Sequence, residues 1–218
     1  MELLIFADGE FAKAVEDSDR TNAAFAHFER TLNGFGASVQ HASGEAGSLV
    51  VDVPDEASEG FQNFIRADAT LGSLISNVEK LQYQTRFNLS AEFTQAVRNN
   101  PADPVLKPLN DVLARYDANI KSQFDAFADF CRQAEEAGET ESTLYKWTKA
   151  TIEKPGKKEL YASRFTAYAD GGKEVYDKSF ADGLEADLKA LIPGGMVTKV
   201  NKFNTDPAQN PQAGPQFR

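Results

Sequence analysis

The chain has little of the residues that usually announce chemistry: one cysteine, one tryptophan, two histidines and two methionines in 218 residues. A lone Cys131 closes no intrachain disulfide, which excludes a disulfide scaffold and suits a reducing compartment. With His27 and His41 as the only imidazoles, no four-ligand Cys/His zinc set can be assembled, and no metal or cofactor is expected. Neither a calcium-loop signature nor a Gly-x-Ser-x-Gly elbow is present, so no residue is assigned a catalytic role. Glycine and proline, 15 and 9 residues, are too few for collagen or a low-complexity chain. The longest apolar runs, Leu3 to Ala7 and Leu49 to Val51, fall far short of the roughly 18 residues of a membrane-spanning helix. The first residues lack the basic start and apolar stretch of a secretory signal peptide. The expected location is the cytoplasm, or a particle assembled there, with no membrane partner.

Basic residues are also in deficit, 23 against 33 acidic, for a net charge of -10. Such a balance disfavours generic attachment to phosphate backbones or anionic membranes. The deficit is uneven, however. Residues 1–60 hold 3 basic and 12 acidic side chains, net -9, whereas residues 144–165 hold 6 and 2, net +4. In that window Lys146, Lys149, Lys154, Lys157, Lys158 and Arg164 interleave with Tyr145, Trp147 and Tyr161. Cations that neutralise phosphates and rings that stack on bases are what a nucleic-acid surface uses. The same set suits an acidic protein neighbour. The plain structural alternative is that the rings pack inward beneath solvated lysines.

What the sequence does contain is periodicity. Glu2 to Ala7, Ala37 to Ala42 and Ser48 to Val53 read as strands, the last two joined by a glycine-containing hairpin loop at 43–47. Phe11, Val15, Phe25, Phe28 and Leu32 recur at helical spacing between the first two strands. Residues 1–56 are thus an acidic β-α-β-β lobe without the glycine-rich first turn of a nucleotide-binding fold. The right-handed crossover places the carboxylates Asp8 and Glu10 at the end of the sheet opposite Asp52, Asp55 and Glu56.

Beyond Pro54 the apolar spacing becomes helical. Phe61, Phe64, Ile65, Leu71, Leu74, Ile75, Val78 and Leu81 predict a long helix over 57–86; a shorter one is expected at 91–98, before the Asn99 to Pro104 breaker cluster. Leu109, Val112, Leu113, Tyr116, Ile120, Phe124, Phe127 and Cys131 predict another long helix over 108–137, with Pro108 in its first turn and Gly138 at its end. At 1.5 Å per residue it would be about 45 Å long, so it is expected to pair antiparallel with 57–86 as an elongated hairpin. Helices are also expected at 143–152, 158–169 and 173–191. Cys131 lies in phase with Phe124 and Phe127 and reads as a buried structural thiol. No internal repeat is visible.

From Asn201 onward the chain is rich in Asn, Gln and Pro and cannot bury enough apolar surface to order itself. Phe203, Phe217 and Arg218 are then candidate anchors of an arm that docks on a partner, since aromatic rings offer large apolar area with few rotamers to freeze. The expectation is a helix-dominated α+β protein divided into an acidic lobe (1–56), a helical region (57–200) and an extended polar arm (201–218). Its expected role is non-enzymatic, a structural or assembly component of a multi-subunit, virion-like particle with partner subunits of its own or another kind. The rival roles are a nucleic-acid module working through 144–165, which the net charge disfavours, and a small-molecule enzyme using His27 or His41.

Overall fold

The computed structural model describes residues 1–169 and 172–209. The chain divides into two units: residues 1–82 together with the segment from Asn204, and residues 83–203.

In the first unit the element order is β1 (Glu2–Ala7), α1 (Gly9–Glu16), α2 (Ala23–Gly34), β2 (Ser38–Ser43), β3 (Ser48–Asp52), α3 (Ser58–Ala67), α4 (Leu71–Leu74) and β4 (Ile75–Lys80). Side-chain oxygens set the helix starts: Asp8 accepts from the backbone N–H groups of Glu10 and Phe11, and Asn22 from those of Ala24 and Phe25. The sheet order is β2-β3-β1-β4, with every neighbouring pair antiparallel. The two central strands are the most apolar, as strands covered on both sides must be: Leu3, Leu4, Ile5, Leu49, Val50 and Val51 are all buried. Leu3, Ile5, Leu49 and Val51 meet Phe11, Phe28, Phe61 and Ile65 in one core. Glu2 pairs with Asp52 and Phe6 with Ser48, so Asp8 and Asp52 do lie at opposite ends of this sheet.

The second unit runs β5 (Tyr83–Leu89), α5 (Ala91–Asn99), α6 (Lys107–Arg115), β6 (Asn119–Ser122), α7 (Gln123–Ala137), α8 (Thr143–Ile152), α9 (Lys157–Ala162), β7 (Arg164–Tyr168), α10 (Lys178–Lys189) and β8 (Val197–Asn204). Its sheet order is β6-β7-β5-β8. Numbered within each unit, both sheets read 2-3-1-4, the split β-α-β arrangement in which a crossover leaves a gap that the third strand fills. The second unit differs by the three helices α7–α9 inserted between its second and third strands. The molecule therefore repeats a connectivity that no sequence period reveals.

The helix-dominated α+β class is observed, but its internal layout is not the expected one. The predicted 57–86 helix is two short helices and two strands. Asp68 ends the first and starts the second by accepting from the backbone N–H groups of Thr70 and Leu71. Ile75 and Val78 then pair with β1, whose free edge needs a partner. The predicted 108–137 helix breaks at Asp117, which takes a positive φ of 46°, and β6 intervenes before Ser122 caps α7. No elongated helical hairpin forms. The expected 158–169 helix stops at Ala162 and continues as β7, and the expected arm begins as a strand, because β8 completes the second sheet as far as Asn204. A division at 56/57 would therefore cut the first sheet from its last strand, and one at 200/201 would fall inside β8.

Candidate docking face on the inserted helices

Helices α7, α8 and α9 pack on one another and bring most of the basic window together. Ser142 caps α8 by accepting from the backbone N–H of Tyr145, and the turn at Pro155-Gly156, with Gly156 at φ 73°, reverses the chain into α9. Phe127 on α7 is the junction. Trp147 of α8 stands edge-on to it at 6.0 Å between ring centroids, and Tyr161 of α9 at 5.6 Å, with interplanar angles of 77° and 70°. Thr148, Thr151 and Ala162 are buried beneath the two helices, and Cys131 beneath α7, where burial pushes its thiol pKa up. The thiol is a core group, as its phase indicates.

The outward side is mixed apolar and basic. Trp147 is 55% exposed, Leu144 one turn earlier 41%, and Leu160 37%. The cations fall into two sets. Lys146 pairs with Glu141 at 2.7 Å, and Lys149 with Glu135 at 2.8 Å and Glu153 at 3.9 Å. The Lys149 ammonium, followed by the Tyr145 hydroxyl, holds the Glu135 carboxyl below its ordinary range. These pairs lace α8 to its neighbours. Lys154, Lys157, Lys158 and Arg164 have no carboxylate within ion-pair distance among the described residues. Three of them lie over rings instead: Lys157 and Arg164 at 5.8 and 5.7 Å from the Tyr161 centroid, and Lys158 at 5.5 Å from that of Phe124. The expected window is thus split by the fold, two cations serving as internal ties and four remaining available to a partner.

The arm residues fare differently. Phe203 sits on β8 with the Arg86 guanidinium 5.1 Å from its ring centroid, inside the second unit. Phe217 and Arg218 lie outside the described residues. From Asn204 the chain joins the first unit: the Thr205 N–H donates to the Gln82 carbonyl at 3.0 Å, and the Ser48 hydroxyl to Asp206 at 2.7 Å.

The histidines do not converge on a common site. His27 Nε2 lies 2.8 Å from Asp68 Oδ2, and Asp68 is the residue that caps α4, so the pair fastens α2 to the α3–α4 turn. His41 Nε2 is 3.9 Å from the buried Asp206 Oδ2. A cluster the sequence did not expose lies on the second sheet: burial, then the nearby Glu174, pushes Tyr168 up to about 12, and burial raises Glu174 and lowers Arg86. Its only sequence signal is a charged residue in the alternating run Tyr83 to Leu89.

Among the described residues no group of three or more His, Cys, Asp or Glu side chains is arranged to hold a metal ion, and no helix is long and apolar enough to cross a membrane. The sequence matches no protein-family model and no curated protein.

Proposed function

We propose that the protein is a non-enzymatic assembly component that uses the outward side of α8 and α9 to dock an acidic, partly apolar protein surface. The observation that carries this reading is the combination of exposed Leu144, Trp147 and Leu160 with four cations that form no ion pair among the described residues. Tryptophan and arginine are enriched where interfaces concentrate their binding energy, and a half-exposed tryptophan buttressed from behind is pre-ordered for such a contact.

Nucleic acid is the weaker reading of the same face. Tyr161 is flanked by Phe127, Lys157 and Arg164, and Phe124 by Lys158, which leaves Trp147 as the open stacking platform. A single-strand groove uses successive rings, whereas exposed leucines give nothing to a phosphate backbone. The net charge of -10 adds long-range repulsion. The enzyme reading loses support from the histidines, one of which is committed to a helix-capping aspartate.

Trp147 is the only tryptophan, so its emission reports directly on this face. Titration with an amphipathic helical peptide of Leu and Glu should shift that emission to the blue. Substituting Lys157→Ala and Lys158→Ala should weaken the response, and a Leu/Lys peptide should give none. Absence of a response to the Leu/Glu peptide, or a strongly salt-dependent response to oligothymidylate instead, would overturn the proposal.

A further inference from the structure

Resting on the docking reading above, we infer that the partner of the α8–α9 face is the acidic first unit of a second copy of this chain, joined head to tail. Self-contact of one α8–α9 face with another is disfavoured by its own charge: Lys154, Lys157, Lys158 and Arg164 would meet their equivalents with Glu159 as the one carboxylate of α9 to offset them. An isologous dimer through this face is therefore repulsive, and a homotypic contact has to be heterologous. The complementary chemistry is present elsewhere in the chain. Residues 1–60 hold 12 acidic side chains against 3 basic ones.

Within the first unit, the turn from β3 into α3 is where exposed carboxylates coincide with an exposed apolar side chain, that of Met1. Asp52, Asp55, Glu56 and Glu59 are all exposed there. Asp55 and Glu59 line a shallow groove of about 270 Å³ that also includes the Met1 side chain, Gln62 and Arg66. Met1 is among the large apolar side chains that remain exposed, at 37%. Asp52 and Asp55 lie 3.3 and 2.9 Å from the amino group of Met1, which leaves Glu56 and Glu59 as the carboxylates offered outward. The exposed Met1 beside Glu56 and Glu59 is complementary to the exposed Leu144, Trp147 and Leu160 beside four cations, so one copy supplies both halves of the contact. Of the other carboxylates beside the basic face, Glu135, Glu141 and Glu153 are already paired with Lys146 and Lys149, which leaves Glu159 of α9 as one acidic group against four cations.

A charge swap on the full chain tests this. In sedimentation velocity at low salt the protein should show a sedimentation coefficient that rises with concentration, and the rise should disappear at high salt. Lys157→Glu with Lys158→Glu, and separately Glu56→Lys with Glu59→Lys, should each abolish the rise. Mixing the two variants in equal amounts should restore it, because each reversed face then meets its new complement, and the untouched faces meet as in the parent. Restoration also establishes that both variants are folded. A parent protein that stays monomeric at all concentrations, or a mixture that remains monomeric, overturns the inference. The Trp147 titration separates the two levels: a response to the Leu/Glu peptide without self-association removes the second copy but retains the docking face, while failure of both removes both.

Discussion

Ser48 donates its hydroxyl to a carboxylate oxygen of Asp206 at 2.7 Å, across 158 residues of sequence, and both side chains are fully buried. The backbone N–H of Ala208 reaches the same oxygen at 3.0 Å, whereas the other oxygen has no hydrogen-bond partner among the described residues and lies 3.9 Å from His41 Nε2. A buried carboxylate with so few donors is costly, so each donor it keeps matters more than it would at the surface. Ser48→Ala should destabilise the protein by about 1–3 kcal/mol in urea unfolding. The double variant with Asp206→Ala should lose less than the two single losses added, because removing the acid also removes the stranded charge. Strict additivity would show that the two side chains do not depend on each other.

The hairpin between β2 and β3 is pressed against α1. A Cβ on Gly44 would lie 2.6 Å from the Lys13 Cβ and 2.9 Å from its Cα, the latter a backbone atom that cannot turn aside. Gly44→Ala should therefore cost about 1–3 kcal/mol, the usual range for overpacking. Gly34, the last residue of α2, is the natural control, since a Cβ there meets nothing within 4 Å. Gly34→Ala should be neutral or stabilising by about 0.4–1 kcal/mol, through the loss of freedom in the unfolded chain. Thermal melts of the pair separate steric contact from backbone entropy. Equal shifts would contradict the close approach.

Residues 1–56 read as β-α-β-β from local signals, apolar runs bounded by turns and a glycine-bearing loop, but the single helical stretch expected between the first two strands is two helices, α1 and α2, started separately by Asp8 and Asn22. The reading failed beyond Pro54, where a period of three or four was followed through Ile75 and Val78. Those residues are buried on an edge strand whose neighbour, β1, lies some 70 residues earlier, as in the pairing of Ser76 Oγ with the Phe6 carbonyl (|i−j| = 70). Two breaks were visible in principle. Leu81, Tyr83, Thr85, Phe87 and Leu89 alternate with period two, as a half-covered strand does. Ser122-x-x-Asp125 marks a helix start inside the predicted 108–137 helix, and the fold uses it as one, the Ser122 hydroxyl accepting from the Asp125 N–H. The basic aromatic window was legible as composition, but which lysines are spent on Glu135 and Glu141 and which are left over depends on how α7 and α8 pack. That is long-range information.

Lys202 on β8 bridges two carboxylates of α10, Asp182 and Glu185, the latter at 3.3 Å. Asp182 is held below its ordinary value of 3.8 first by Lys178 and then by Lys202, and Glu185 below 4.5 first by Lys189 and then by Lys202. Carboxyls depressed in the folded state contribute stability that is fully present above their unfolded pKa values and is lost as pH falls through the folded ones. Stability should accordingly decline below about pH 4.5 as protons enter these two groups. Lys202→Met should lower stability at neutral pH by up to about 1 kcal/mol, the pairs being partly solvated. It should also flatten the decline, so that variant and parent converge in acid. Denaturant midpoints measured across pH 2–7 check this, and parallel curves would assign the acid loss to other carboxylates.

Among the described residues Phe127 is the one ring that touches both Trp147 and Tyr161, so it decides whether α8 and α9 present a single ordered face. It is only half-buried, and its removal should cost less than the about 3–5 kcal/mol of a fully buried phenylalanine. The larger consequence is local. In Phe127→Ala the indole loses its edge contact, so Trp147 emission should move to the red and its near-ultraviolet circular dichroism should weaken, while far-ultraviolet helicity stays close to that of the parent. Because the cations and the exposed leucines remain in place, affinity for the Leu/Glu peptide should fall through a faster dissociation rate rather than a slower association rate, as expected when a binding surface loses pre-order but keeps its charge. An unchanged emission spectrum would show that Trp147 is held by contacts other than Phe127, and the docking face would then have to be re-centred on α8 alone.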